Sequence, residues 1–445
     1  MKAYIHTILL VFMSFPILIQ GQAVEEYISK GLASNLELQA KKANYEVALR
    51  ALDEAKKQRS LRLDFTPTYT LAAGGRTIDI PVGDLLNPVY SSLNELTASN
   101  AFPQIENESE LLNPNNFYDI KVRASYPILN KAIGINEEIK SMETIISNFS
   151  INAYTNELMT EIEKAYYNYQ KATEAISIYK EAAILIKENI RVNRGLYKNG
   201  KALKIDVDAV LNDSLQIQKD IDNALLSQLK AAAYINFLIN EPLDKEIEWD
   251  SSTAQLPEVP QTEEQTIRPE LLQLSELENI NRKLKDLAKA QSGPQLNGFV
   301  DLGVQDFDFN IDGQSPYVLA GLSFNLNLFD NGQTKAKVAL AESKAQEVAS
   351  QRANVRKQIE MEQFVAVKNL ETSFNNYDAA QKEANLRQQQ YADQLKRYRQ
   401  GIANYIAVQD ARNKLITAQL QRNLNRYQTW IDVSEYKRTL GLNTK

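Results

Sequence analysis

Tyr197-Lys198-Asn199-Gly200, followed by Asp206-Val207-Asp208-Ala209, has a counterpart in Tyr398-Arg399-Gln400-Gly401, followed by Val408-Gln409-Asp410-Ala411, with the two Tyr-x-x-Gly motifs 201 residues apart. In both copies a glycine interrupts a long helical pattern that then resumes, as expected of a helix stop that needs a left-handed residue. Before the first break, Leu158, Ile162, Ala165, Tyr169, Ala172, Ile176, Tyr179, Ala183, Ile186 and Ile190 step by four and three. Before the second, Val367, Leu370, Phe374, Tyr377, Gln381, Ala384, Gln388, Tyr391, Leu395 and Tyr398 do the same with polar lapses. These are heptad seams in coiled-coil style, in which Ala allows close approach and Tyr fills wider gaps. The spacing predicts helices over about 131–199 and 334–400, resuming to Asn240 and to Leu440. About 65 residues at 1.5 Å each make roughly 100 Å of helix.

The duplication extends upstream. Ile128-Leu129-Asn130 corresponds to Leu328-Phe329-Asp330, and Leu36-Glu37-Leu38 to Pro269-Glu270-Leu271 at an offset of 233, so the halves differ by about 33 residues in one loop. Each half opens with a predicted helix, Asn35 to about Ser60 and Pro269 to about Gln291, and continues with two segments of period two. Leu61, Leu63, Phe65, Tyr69 and Leu71 alternate with polar residues, as do Tyr118, Ile120, Val122, Ala124, Tyr126 and Ile128. In the second half Leu296, Val300, Leu302 and Val304, then Val318, Ala320, Leu322, Phe324, Leu326 and Leu328, repeat the pattern. These are four strands with one apolar and one polar face. A half-buried soluble sheet is one reading of them. The other is a membrane barrel, for which the segments are long enough, but a single-chain barrel needs at least eight strands and lipid tolerates no open edge. Three copies supply twelve.

Between the first two strands, residues 74–116 form an insert rich in Asn, Ser and Pro with an apolar patch at Leu85-Leu86. It reads as an outward-facing loop, solvated or serving as a receptor or plug. The organisation expected is a leader at 1–23, a first repeat at 24–240, a connector at 241–267 containing Trp249, and a second repeat at 268–445. The leader reading rests on Lys2, an apolar run from Ile8 to Ile19 and the small residues before cleavage after Ala23, and implies export.

Composition narrows the function. The chain has no Cys and one His, His6 in the leader, so thiol chemistry, disulfides, Cys/His metal sites and an imidazole base are not expected in the exported protein. No acid pair stands apart from the helical surface charge as a glycosidase would require, and neither an enzyme, a metal nor a cofactor is expected. The 50 Lys and Arg against 56 Asp and Glu form no concentrated basic patch of the kind that binds nucleic acid.

The order of helix, two strands, long helix, Tyr-x-x-Gly break and returning helix, duplicated after a leader, resembles the TolC family of outer-membrane efflux proteins. The passages 197–209 and 398–411 and the strand-to-helix passage Leu326-Asn327-Leu328-Phe329-Asp330-Asn331-Gly332 carry the resemblance, which covers essentially the whole exported chain. It implies a mainly α fold with a β-barrel part: a homotrimer whose four strands per chain make a twelve-stranded barrel in outer-membrane lipid, continued into the periplasm by a coiled-coil α-barrel. It also implies a passive conduit for efflux or type I secretion that docks on a periplasmic adaptor and an inner-membrane pump. Carried over by position, Tyr398 matches the family's gate tyrosine, Asp206 a gate aspartate and Asp410 a ring aspartate. The other ring position is Ala407 and the gate arginine falls at Ala403, so neither a double ring nor the arginine lock carries over. An exposed acid at a helix start is the simple alternative for Asp410, and N-terminal capping the alternative for Asp206. The tips expected to meet the adaptor are Gly200, Lys201, Ala202 and Leu203, and Gly401, Ile402, Ala403 and Asn404. The alternative to a conduit is a secreted coiled-coil scaffold, which leaves the amphipathic strands unexplained.

Overall fold

The computed structural model describes residues 22–248, 255–259 and 267–441. All but the last two residues of the expected leader, and Trp249 of the connector, lie outside them. The chain forms two compact units, each drawing on both halves of the sequence: a helical unit (residues up to 49, 142–279 and 345 onward) and a sheet unit (50–141 and 280–344).

In the helical unit, α1 (Gln22–Ser34) precedes α2 (Leu36–Lys57). Asn35 separates them. Its side-chain oxygen accepts from the Leu38 N–H at 2.9 Å, capping α2, while its amide donates to the Leu238 carbonyl at 2.9 Å. α1 is not among the expected elements, although Val24, Tyr27, Ile28 and Leu32 recur at helical spacing. The long helices are α4 (Lys131–Lys198), α5 (Lys204–Leu238), α7 (Gln333–Arg399) and α8 (Tyr405–Leu440), close to their expected limits, and α6 (Pro269–Gln291) starts at its proline. The first heptad seam is the core: Leu158, Ile162, Ala165, Tyr169, Ala172, Ile176 and Ile186 are all buried. They pack with Val24, Tyr27, Ile28, Leu38, Ile235 and Ile239 near the connector, and with Val210, Ile217, Ile221, Tyr405 and Ile416 toward the Tyr-x-x-Gly breaks. The second seam is thinner. Leu370, Ala384 and Tyr391 are buried, but Gln388 is exposed and Ala366, Ser373 and Ala380 complete the stripe. The described part of the connector lies on this unit: Ile247 is buried, its carbonyl accepts from the Tyr169 hydroxyl at 3.2 Å, and the Trp430 indole donates to the Gln255 carbonyl at 3.2 Å.

The sheet unit is built on β1 (Arg62–Thr70), β4 (Phe117–Leu129), β5 (Gln295–Phe307) and β6 (Pro316–Asn325), all antiparallel and ordered β1-β4-β5-β6. Register puts like with like. Leu63 pairs with Ala124, which pairs with Val300 and then Ala320; Phe65, Val122, Leu302 and Val318 form the next row. One face is therefore continuously apolar, and within the single chain it is bare: Phe65, Leu302, Val318 and Leu322 are between 56% and 72% exposed. The opposite face is ionic. Arg123 holds Asp301 with two hydrogen bonds of 2.7 Å and lies over the Phe299 ring, while Asp119 accepts from Lys121 at 2.5 Å and from the Tyr317 hydroxyl at 2.7 Å. Phe299 lies across Gly321 on the neighbouring strand, where a Cβ would come within 2.6 Å of the ring. Among the described residues, β1 and β6 each have one edge without a strand partner.

The 74–116 insert is more ordered than the loop the composition suggests. It contains a two-stranded antiparallel ribbon of β2 (Thr77–Ile80) and β3 (Glu108–Leu111), with helix α3 (Val82–Thr97) in the connection between them. Asn87 and Asn94, two turns apart on α3, each donate to and accept from the backbone of the extended stretch beside the helix, at Ile105 and Phe102. Their amides imitate a neighbouring strand, so asparagines that look loop-forming in sequence supply the hydrogen bonds of a small fold.

Candidate pore end and docking tips

Each Tyr-x-x-Gly break ends its helix with the same two hydrogen bonds. In the first, Gly200 N–H donates to the Tyr197 carbonyl at 3.0 Å and Lys201 N–H to the Leu196 carbonyl at 2.8 Å. In the second, Gly401 donates to Tyr398 and Ile402 to Arg397, both at 2.9 Å. This is the Schellman arrangement, and it requires a left-handed residue, here Gly200 at φ 67° and Gly401 at φ 75°. The following helices are capped differently. Asn404 accepts from the Ala407 N–H at 3.0 Å. Leu203 has no side-chain acceptor, and Asp206 reaches back to its N–H at 2.9 Å. Asp206 thus performs the capping that was the alternative to its gate reading. Lys201, Leu203 and Ile402 are exposed, while Ala202, Ala403 and Asn404 are respectively half-buried, half-buried and exposed.

Behind the turns the helices are tied by buried polar groups. Tyr398 donates its hydroxyl to the fully buried Asn193 side chain on α4 at 3.0 Å and meets Tyr405 edge-on, with ring centroids 5.9 Å apart. Burial, and then the Asp206 carboxylate, push the Tyr398 phenol above its ordinary pKa. Two turns earlier, Tyr391 shares a hydrogen bond with Asn189 of α4. Across α5 and α8, Arg412, 1% exposed, holds Asp213 at 2.5 Å; the same carboxylate accepts from Gln409 at 2.8 Å, and a second guanidinium nitrogen lies 3.3 Å from the Tyr405 hydroxyl. Burial pushes the Tyr405 phenol up to about 12.

Asp410 does not join this network. It is exposed on α8 and bound to Lys414 one turn on, at 2.7 Å. The structure therefore brings Tyr398 and Asp206 into electrostatic reach of each other and leaves Asp410 on the other side of the helix from buried Val408 and Arg412. Arg412 and Asp213 were missed in the sequence, although a signal was present: Arg412 falls between Val408 and Leu415 at seam spacing, where a charge must have a partner.

Residues 267–441 match the family model described as outer membrane efflux protein. No curated protein matches the chain in sequence. Among solved structures it is similar to the CmeC outer membrane channel of Campylobacter jejuni (16% identity, TM-score 0.76, covering 95% of this chain and 86% of that one). It is also similar to the open state of the MtrE outer membrane channel of Neisseria gonorrhoeae (15%, 0.75, 95% and 90%) and to the outer membrane protein VceC of Vibrio cholerae (15%, 0.73, 94% and 96%). At these identities the likeness shows the fold.

Proposed function

We propose that the chain is an outer membrane efflux protein of the TolC family, residing in the outer membrane and extending into the periplasm, and that it is the passive exit duct of a tripartite efflux or type I secretion system; the match of residues 267–441 to the outer membrane efflux protein model and the shared fold support this reading. The duct is a homotrimer, docked through its tips on a periplasmic adaptor and, through it, on an inner-membrane pump. The observation that carries this reading is the sheet: four strands with a bare apolar face and two unpaired edges, at β1 and β6, are unsuited to water and to lipid until the edges are paired. Joining β6 of one copy to β1 of the next, three times, removes every edge and gives twelve strands with the apolar face toward lipid and the ionic face toward the lumen. A secreted scaffold has no use for that face.

The same reading makes 24–240 and 268–445 two copies of one duplicated repeat joined by the 241–267 connector, with the leader at 1–23 directing export. The gate lies behind the tips. Its lock in this chain is the Arg412–Asp213 pair between α5 and α8, with Tyr398–Asn193 between α7 and α4, in place of the arginine absent at position 403. Opening separates α5 from α8 and exchanges this buried pair for water. Asp410, exposed and repeated three times around the axis, lines the mouth. The loosely defined polar lumen discriminates little, so the pump selects the cargo. Native mass spectrometry of detergent-extracted protein tests the core of the proposal: three chains are expected, and a stable monomer in outer membranes overturns it.

A further inference from the structure

An exposed face of α4 near the first tip carries Lys187, Arg191, Arg194 and Lys198 at spacings of four, three and four, so all four cations lie in one narrow stripe. They line a groove of about 680 Å³ together with Ile184 and Ile190. All four are exposed, and Ile184 is 69% exposed. Arg191 is held by Glu188 at 2.7 Å; Lys187, Arg194 and Lys198 have no ion pair among the described residues, nor do Lys201 and Lys204, which carry the charge around the turn. Across both tips, residues 187–214 and 388–415 hold 11 Lys and Arg against 6 Asp and Glu, in a chain whose net charge is −6. Four of those six acids are already engaged: Glu188 by Arg191, Asp206 by the Leu203 N–H, Asp213 by Arg412 and Asp410 by Lys414.

The stripe is not a requirement of the hairpin. At the 201-residue offset the second repeat has Gln388, Ala392, Leu395 and Arg399 in its place, and its hairpin folds with the same turn. Unpaired like charges on one helix face cost stability through mutual repulsion, so a stripe present in one repeat and absent from the other needs a reason outside the chain.

We propose that the α4 stripe is a docking surface for an acidic helical hairpin of a partner protein, which seats its carboxylates on Arg194, Lys198 and Lys187 and its apolar side chains on Ile184 and Ile190. This rests on the reading of the tips as docking ends and deepens it: the partner is acidic where it meets the first repeat, and the two tips of each chain are chemically distinct to it. The alternating cations and isoleucines suit a protein helix, with carboxylates and apolar groups interleaved, better than a sheet of lipid phosphates.

The test uses the intact trimer in detergent and two labelled coiled-coil hairpin peptides, identical except for glutamate or glutamine at the exposed positions nearest the hairpin loop. The glutamate hairpin is expected to bind about tenfold more tightly in low salt, and the difference to vanish in half-molar salt and in the triple variant Lys187→Glu, Arg194→Glu, Lys198→Glu, which is expected to remain trimeric. Equal binding of the two hairpins overturns the acidic partner, as does preferential capture of phosphatidylglycerol vesicles or salt-sensitive association of trimers with one another. The docking reading is scored separately: if both hairpins bind equally and Gly200→Val abolishes both, the tip docks but has no preference for acid.

Discussion

Arg412 and Asp213 lie 199 residues apart in sequence and 2.5 Å apart in the structure, one from each half of the chain, with the guanidinium 1% exposed. The pair joins the two helices that return from the two tips. A buried pair is expensive to break because the survivor keeps its charge without its partner. Arg412→Leu is expected to destabilise the closed helical end by about 3–5 kcal/mol. The measurements are the melting temperature of the trimer and its conductance in planar bilayers: lower melting with larger openings is expected, and unchanged values for both remove the pair from the lock. Pairing Arg412→Leu with Asp213→Leu should restore much of the melting temperature but not the closed conductance, since two packed apolar groups replace the buried charges without their directional hydrogen bonds.

Tyr405 makes the lock sensitive to alkali. Its phenol is pushed from 10.0 up to about 12, first by burial. A raised value means the neutral form is favoured in the folded state, so its stability contribution is whole below pH 10 and is lost as pH rises from 10 to 12. The loss is about 3 kcal/mol for two pKa units. Tyr405→Phe should flatten the stability profile within that window and leave it unchanged at pH 7–9, apart from the weak hydroxyl contact to Arg412. Denaturation followed at several pH values checks this, and an equally steep alkaline loss in the variant shows that other groups carry it.

Gly200 and Gly401 have open space where a Cβ would be, so their substitution is penalised by backbone conformation alone. Gly200→Val and Gly401→Val should each cost about 1–3 kcal/mol locally and weaken adaptor docking while the barrel still inserts. Gly→Asn at the same sites should be milder, because Asn enters the left-handed region more readily. Export assays at matched outer-membrane abundance, with adaptor crosslinking, decide it; unaffected export with persistent crosslinks means that docking lies elsewhere.

On the sheet, Val122→Arg and Phe324→Arg place a charge on the apolar face and should cost about 2–4 kcal/mol near the bilayer midplane. Folding titrations in lipid vesicles measure this. Lys121→Gln, on the ionic face, should be tolerated. Lys121→Glu should not, because Lys121 is bound to Asp119 and reversal sets two carboxylates side by side.

Asp410→Asn should reduce cation preference if three such carboxylates ring the mouth, where low-dielectric walls focus their field. The Lys414 ammonium 2.7 Å away offsets part of each carboxylate's field, and reversal potentials in salt gradients read the net effect directly. An unchanged reversal potential returns Asp410 to the surface.

Local pattern was enough for the four long helices, for α2 and α6, for the four strands of the main sheet and for the two breaks, but not for α1 or for the elements of the 74–116 insert. Period, capping and glycine at a left-handed turn are local physics, written within a few residues, and the heptad from Leu158 to Ile190 needed no partner to be seen. The duplication made the pattern legible twice. Tertiary structure alone decided what those elements hold between them. Arg412 finds Asp213 only because α5 and α8 are laid together, Arg123 finds Asp301 only through the register of β4 with β5, and the asparagines of the insert become strand mimics only where residues 102–107 run beside α3. α1 carries a short stripe of its own, Val24, Tyr27, Ile28 and Leu32, but at 13 residues it is too short to stand alone, and it is held by burying that stripe against α4 and α5. Helix and strand follow from neighbours in the chain, whereas a buried charge is stable only beside a group that folding brings to it.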